Sequence, residues 1–161
     1  MTLPPDWPEL GGIAEGYYAV HDPTAPDTVI YWRRVITAKV DGLKPWPAKA
    51  SYGPPVPRRA DVPADPAARE RFVTAWSQVR AAYLTRVVDA ILTDPVAAGR
   101  RFAEFGIRCC QCGRPLRDAT SKTVGIGPEC RSGMDPAVLA RYLTPQVGQI
   151  HAAHLATEAA Q

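Results

Sequence analysis

Cys109-Cys110-Gln111-Cys112-Gly113-Arg114, answered by Gly125-Ile126-Gly127-Pro128-Glu129-Cys130, is the stretch around which the chain is arranged: all four cysteines fall within its 22 positions. Cys109 and Cys112 have the two-residue gap at which a tight turn aims two thiolates at one ion. Gly113 follows where such a turn needs an unhindered backbone. Seventeen residues separate Cys112 from Cys130, room for a short hairpin that brings a third thiolate back from the opposite side. Proline after Gly-Ile-Gly predicts a helix start near Pro128 with Cys130 in its first turn, where free amides and the helix dipole favour a thiolate. The expected cofactor is a structural zinc ion on Cys109, Cys112 and Cys130. Cys110 adjoins a ligand, and one turn rarely aims neighbouring side chains at one ion, so it is read as a bystander.

The fourth ligand is open. A two-knuckle site places another cysteine near position 133, where Gly133 stands. Asp118, His151 and His154 are the candidates. Water in that position would make the site a hydrolase-type centre, since catalytic zinc keeps one position open. However, zinc with three thiolates is a net anion, offset here by Arg108, Arg114, Arg117 and Arg131. Such an ion is a poor Lewis acid, so the zinc hydrolase is the lesser reading and no catalytic residue is assigned.

Written out as Cys109-x-x-Cys112-Gly-Arg-Pro-Leu-x-Asp118-x-x-Ser121-x-x-x-Gly125-Ile-Gly-Pro-x-Cys130, the pattern resembles the signature of a domain-of-unknown-function family found in actinobacterial and phage proteins. Members often carry an upstream Gly-x-Tyr-Ala-Val strand and a Tyr-x-Arg-Val strand. Here these are residues 16–20 and, with one residue extra, 31–35. Arg117 stands where the family often has threonine. The resemblance implies a zinc site and no enzymatic activity. It covers 109–130 well and the hairpin loosely. Val124-Gly-Ile-Gly-Pro128 also resembles the hairpin of helix-hairpin-helix DNA-binding motifs, in which amides at a helix start receive a phosphate. Those motifs need a helix just upstream, where this sequence offers the knuckle and Arg-Pro-Leu-Arg-Asp. The simpler reading is that the glycines let the chain turn so that Cys130 reaches the metal.

Outward from this stretch the chain reads as α+β. Residues 16–21 (GYYAVH) and 28–37 (TVIYWRRVIT) are rich in Tyr, Trp, Val and Ile, which suit a half-buried pleated surface. The Asp-Pro-Thr-Ala-Pro-Asp run between them supplies a turn, so an antiparallel hairpin is predicted. Ala38 to Val40 is expected to continue the second strand, Asp41-Gly42 to turn, and a third strand to follow near 49–52. Residues 43–64 hold six prolines and read as a loop whose Trp46 docks on the body. Then the period changes. Phe72, Trp76, Val79, Tyr83, Val87 and Ile91 recur at steps of three and four, one face of a helix over 66–92. Asp65-Pro66 caps it, and the same device recurs at Asp94-Pro95 and Asp135-Pro136. A second helix spans 95–105 and ends at Gly106. A short helix covers 136–143, and a last one 146–160 with Val147, Ile150, His154 and Leu155 inward.

The expected architecture is a small N-terminal antiparallel hairpin or three-stranded sheet, a long amphipathic helix over it, and a C-terminal zinc-knuckle module. Its parts are a scaffold (1–106) with the Pro-rich loop (43–64), the zinc-binding module (107–144), and a C-terminal helix or tail (145–161).

Hydrophobic residues at 46% and charged residues at 22% place the chain among globular proteins rather than disordered ones. No run of about 18 apolar residues and no basic-then-apolar leader is present, so neither a membrane span nor a secretory signal is expected. Clustered cysteines without a leader point to a reducing, cytoplasmic setting. The net charge of +3 hides an asymmetry. Residues 1–30 hold five acids and no Lys or Arg, whereas 31–60 carry seven bases against Asp41, and 100–131 seven against three acids.

The expected function is that of a non-enzymatic zinc-binding accessory module, phage-type, contacting nucleic acid through Arg114, Arg117, Lys122 and Arg131. The alternative is a protein-interaction module that binds a host factor through Tyr17, Tyr18, Tyr31 and Trp32 of the hairpin, or through Trp46. No Ser-His-Asp set, P-loop, dinucleotide fingerprint or deaminase pattern is present.

Overall fold

A computed structural model of the chain describes residues 6–143 together with 153, 156, 157, 159 and 160. The strand-forming stretches build an antiparallel meander of β1 (Gly16–Asp22), β2 (Ala25–Ile36) and β3 (Asp41–Trp46), in the order β1-β2-β3. Among the described residues, the α-helices with defined bounds that follow are α1 (Pro66–Thr93), α2 (Pro95–Gly106), α3 (Ala119–Val124), α4 (Pro128–Gly133) and α5 (Pro136–Ala140). Each Asp-Pro pair does what its chemistry suggests. Asp65, Asp94 and Asp135 accept from the amides of Ala68, Ala97 and Ala137, with proline opening each helix.

β1 is buried on both faces because side chains alternate across a strand. Tyr18 and Val20 join Ile30 and Trp32 of β2 against Tyr83, Leu84, Val87, Val88 and Ile91 of α1. Tyr17 and Ala19 face the other way, into a second core with Phe102 and Ala103 of α2 and with Cys109, Cys110, Leu116, Val124 and Ile126 beyond it. The sheet therefore lies between α1 on one side and α2 with the cysteine region on the other.

Several expectations are corrected. The third strand is Asp41–Trp46, not a segment near 49–52. Thr37 Oγ1 accepts from the amides of Lys39 and Val40 and its own amide donates to Val40 O, so the chain reverses there. Asp41 and Gly42 thus begin β3. Pro45 is tolerated because β3 is an edge strand. Arg34, counted among the basic residues of 31–60, is buried at 2% exposure. It donates to the carbonyls of Ile13, Val35 and Gly42 and pairs with Asp41, locking β2 to β3. Val79 lies on the predicted face of α1 but is 57% exposed. The buried positions of α1 begin only at Ala81. The turns before that carry the Pro-rich loop instead, with Trp76 Nε1 donating to Pro55 O and Arg80 to Tyr52 O. Finally, α2 ends with Ile107 rather than Gly106 in the left-handed region, at φ 52°. Ile107 is held there because its amide donates to Ala103 O while its carbonyl accepts from Leu116 N.

Of the predicted helix over 146–160, the described residues are 153, 156, 157, 159 and 160, of which the first four are helical; Val147, Ile150, His154 and Leu155 lie outside them.

Candidate metal centre

The knuckle is a tight hairpin. Arg108 bridges Pro115, the Cys109 amide donates to Arg114 O at 2.8 Å, and the Gly113 amide donates to Cys109 O at 2.8 Å. Gly113 has φ 76° and its would-be Cβ meets the Tyr17 ring at 2.6 Å, so a side chain is excluded both by the backbone and by the neighbour. Pro128 opens α4 on the N-cap Gly127, which places Cys130 in the first turn.

The result is three Sγ atoms, from Cys109, Cys112 and Cys130, all within 4.8 Å of one another. Thiolates at about 2.3 Å around a tetrahedral zinc stand about 3.8 Å apart, which falls within that bound, so the trio could hold a metal ion. Cys109 is buried, Cys130 half-buried and Cys112 exposed. The open side of the triangle is a cleft of about 150 Å³, whose other walls include Arg114, Pro115, Leu116, Pro128 and Glu129.

Burial opposes ionisation of Cys109, but the amides of Gly127, Cys112 and Gln111 turned toward its sulfur outweigh it and bring the thiol below its ordinary range. Cys130 is pushed up to about 12, by burial first and then by the charge on Cys109. Ionisation is thus eased at Cys109 and opposed at Cys130, a conflict that a bound cation would resolve because it replaces mutual repulsion with attraction.

The expected 113–129 hairpin returns as something else. After Pro115 the chain forms α3, and Asp118 is its N-cap: Oδ1 accepts from Ser121 N at 2.8 Å and Oδ2 from Ser121 Oγ at 2.6 Å. Asp118 thus serves as a cap and is not among the residues whose ligand atoms lie within 4.8 Å of one another; these hydrogen bonds, Ser121 Oγ foremost, hold it below the usual carboxylate range. His151 and His154 lie outside the described residues. Glu129 is paired to Arg114 at 2.9 Å.

Cys110 is turned away from the trio. It is buried, with its Sγ where a Cβ on Gly99 would come within 3.4 Å, and burial, then Cys109, pushes its thiol up to about 12. Its backbone is the hub of the region: Tyr17 N donates to Cys110 O at 2.7 Å, and Cys110 N to Gly125 O at 3.1 Å.

The four basic candidates divide. Arg114, Arg117 and Lys122 are exposed. Arg131 turns inward and donates to Ser121 Oγ at 2.8 Å and to Ile126 O at 2.6 Å. α3 also supplies a helix just upstream of Gly125-Ile126-Gly127, which the sequence had not offered. The polar groups of that turn are nevertheless used within the fold, by Ser121 O, Cys110 N, Arg131 and the Cys109 sulfur.

Comparison with protein families matches residues 99–135 to a family of unknown function (DUF6011), a span that takes in all four cysteines, α3 and α4. Neither the curated proteins nor the solved structures yield a match.

Proposed function

We propose that the chain is a non-enzymatic zinc-binding accessory module that contacts nucleic acid through cations around its metal centre. The observation that carries the metal half is the convergence of three thiols from two different elements, the knuckle and the first turn of α4. A Zn²⁺ ion there joins 109–112 to 130 and fixes the intervening segment; this is a structural use, since three thiolates quench Lewis acidity. The two carboxylates of the region, Asp118 and Glu129, are engaged by Ser121 and Arg114, which leaves neither placed as a general base.

The nucleic-acid half rests on exposed Arg114, Arg117 and Lys122 around that centre. Arg131 serves the fold instead. The rival host-protein reading needs the aromatic hairpin at the surface, but Tyr17, Tyr18 and Trp32 are core residues, leaving only Tyr31 and Trp46 half-buried. That burial removes three of the five aromatic contacts on which the host-protein reading relies.

The test is binding of labelled single-stranded and duplex oligonucleotides to zinc-loaded protein at rising salt. The reading expects binding at low salt, with affinity falling by about 10³-fold or more between 50 and 200 mM if about six phosphates are contacted. Absence of binding at the lowest salt, or affinity indifferent to salt, overturns it.

A further inference from the structure

Tyr31 stands opposite Trp46 in the β2–β3 ladder, and Arg33 opposite Lys44. Arg33 also pairs with Tyr17 across β1. Directly opposed residues project from the same face, so Tyr17, Tyr31, Arg33, Lys44 and Trp46 share one side of the sheet. Phe102 of α2 covers the aromatic part of it, with ring centroids 5.0 Å from Tyr17, 6.1 Å from Tyr31 and 5.1 Å from Trp46. Arg33 and Lys44 stay exposed.

Two guanidiniums are held over these rings: Arg33 lies 5.4 Å from the Tyr17 centroid, and Arg108 lies 5.6 Å from that of Trp46. Arg108 also donates to Gly113 O at 2.9 Å, which joins the strip to the knuckle.

Like charges directly opposite on a sheet are destabilising, and among the described residues neither Arg33, Lys44 nor Arg108 has a carboxylate partner. Asp41, the acid of β3, pairs on the other face with buried Arg34. The strip is therefore an uncompensated cationic surface interleaved with half-buried aromatic rings. Flat rings beside cations suit unstacked bases and their phosphates, whereas a duplex offers a protein surface mainly its backbone.

We infer that this β2–β3 face, through Arg33, Lys44, Arg108, Tyr31 and Trp46, is a binding strip for single-stranded nucleic acid running from the knuckle to the sheet edge. The inference rests on the nucleic-acid reading above and names its ligand and its main surface.

Fluorescence anisotropy of the zinc-loaded chain tests it, with labelled oligo-dT and oligo-rU of about 16 nucleotides and a duplex of the same length. Either single strand is expected to bind more tightly than the duplex, and the two arms show whether DNA or RNA is preferred. The variant R33Q/K44Q is expected to weaken single-strand binding at least tenfold. It should also make the salt slope shallower by about 1.4, two contacts at about 0.7 each. R117Q/K122Q, on the α3 side, is expected to have the smaller effect. Both substituted strip residues are exposed, so melting should be unchanged or slightly later once the like-charge pair is gone, and Lys44→Glu should bind as poorly as R33Q/K44Q while folding normally. If the wild type binds but R33Q/K44Q binds equally well, or if duplex is preferred, the strip is wrong and the broader reading survives. If no oligonucleotide binds, the broader reading falls and takes the strip with it.

Discussion

Cys109, Cys110 and Cys112 share one turn, and their burial separates what a substitution at each would do. Cys112 is exposed, so serine there costs within about 0.5 kcal/mol for packing alone; any larger loss must come through the metal. Cys112→Ser is therefore expected to lower the melting temperature of zinc-loaded protein by several degrees and to have almost no effect in chelator. Cys110→Ala should show the opposite pattern, a loss of about 1 kcal/mol that chelator leaves unchanged, with full metal content. Alanine is the right control because serine would bury a hydroxyl beside Gly99. Calorimetry with and without chelator distinguishes them, and equal behaviour of the two variants would overturn the ligand assignment. Asp118 supplies a companion test. Asp118→Ala is expected to cost about 1 kcal/mol through the lost cap while zinc content stays unchanged; loss of zinc would make it a ligand after all. The three thiols were legible from spacing alone. Asp118, Arg34 and Arg131 were not, since a carboxylate near cysteines or an arginine in a basic run reads as a ligand or as surface. What decides otherwise is a set of partners, Ser121, Ile13, Gly42 and Ile126, that only the fold brings together.

At the scale of elements, start signals were legible and packing was not. Asp65, Asp94 and Asp135 mark three helix starts because an N-cap and a following proline are local chemistry. The period of α1 gives its face, but period alone cannot say which turns have a neighbour. Ile91 is fully buried and Val79 is 57% exposed, although both lie in the same three-and-four pattern. Ile91→Ala should thus cost about 2–5 kcal/mol and Val79→Ala within about 0.5 kcal/mol in urea denaturation. A similar cost at the two positions would contradict the burial described for α1. β3 was misplaced because its Pro45 speaks against a strand unless the strand is known to be an edge. α3 was missed because six residues, three of them Thr or Val, carry little helical propensity.

Across the whole molecule, one core joins the sheet to the cysteine region. Tyr17 and Ala19 of β1 and Phe102 of α2 pack with Leu116, Val124 and Ile126. The Cys110 backbone ties β1 to the end of α3. The α+β class and the order of sheet, long helix and cysteine cluster were readable from the chain; the sharing of a core was not, because it depends on which face of β1 each element takes. This arrangement gives the metal a definite task. The apolar contacts place the knuckle beside α4, and the ion would close the remaining gap between Cys109, Cys112 and Cys130. Among the described residues this is the one cluster of at least three such side chains close enough to hold a metal. The most direct test is therefore elemental analysis of the full chain purified without chelator. About one zinc ion per chain is expected, and less than about half an equivalent of zinc would contradict the metal centre and the function built on it.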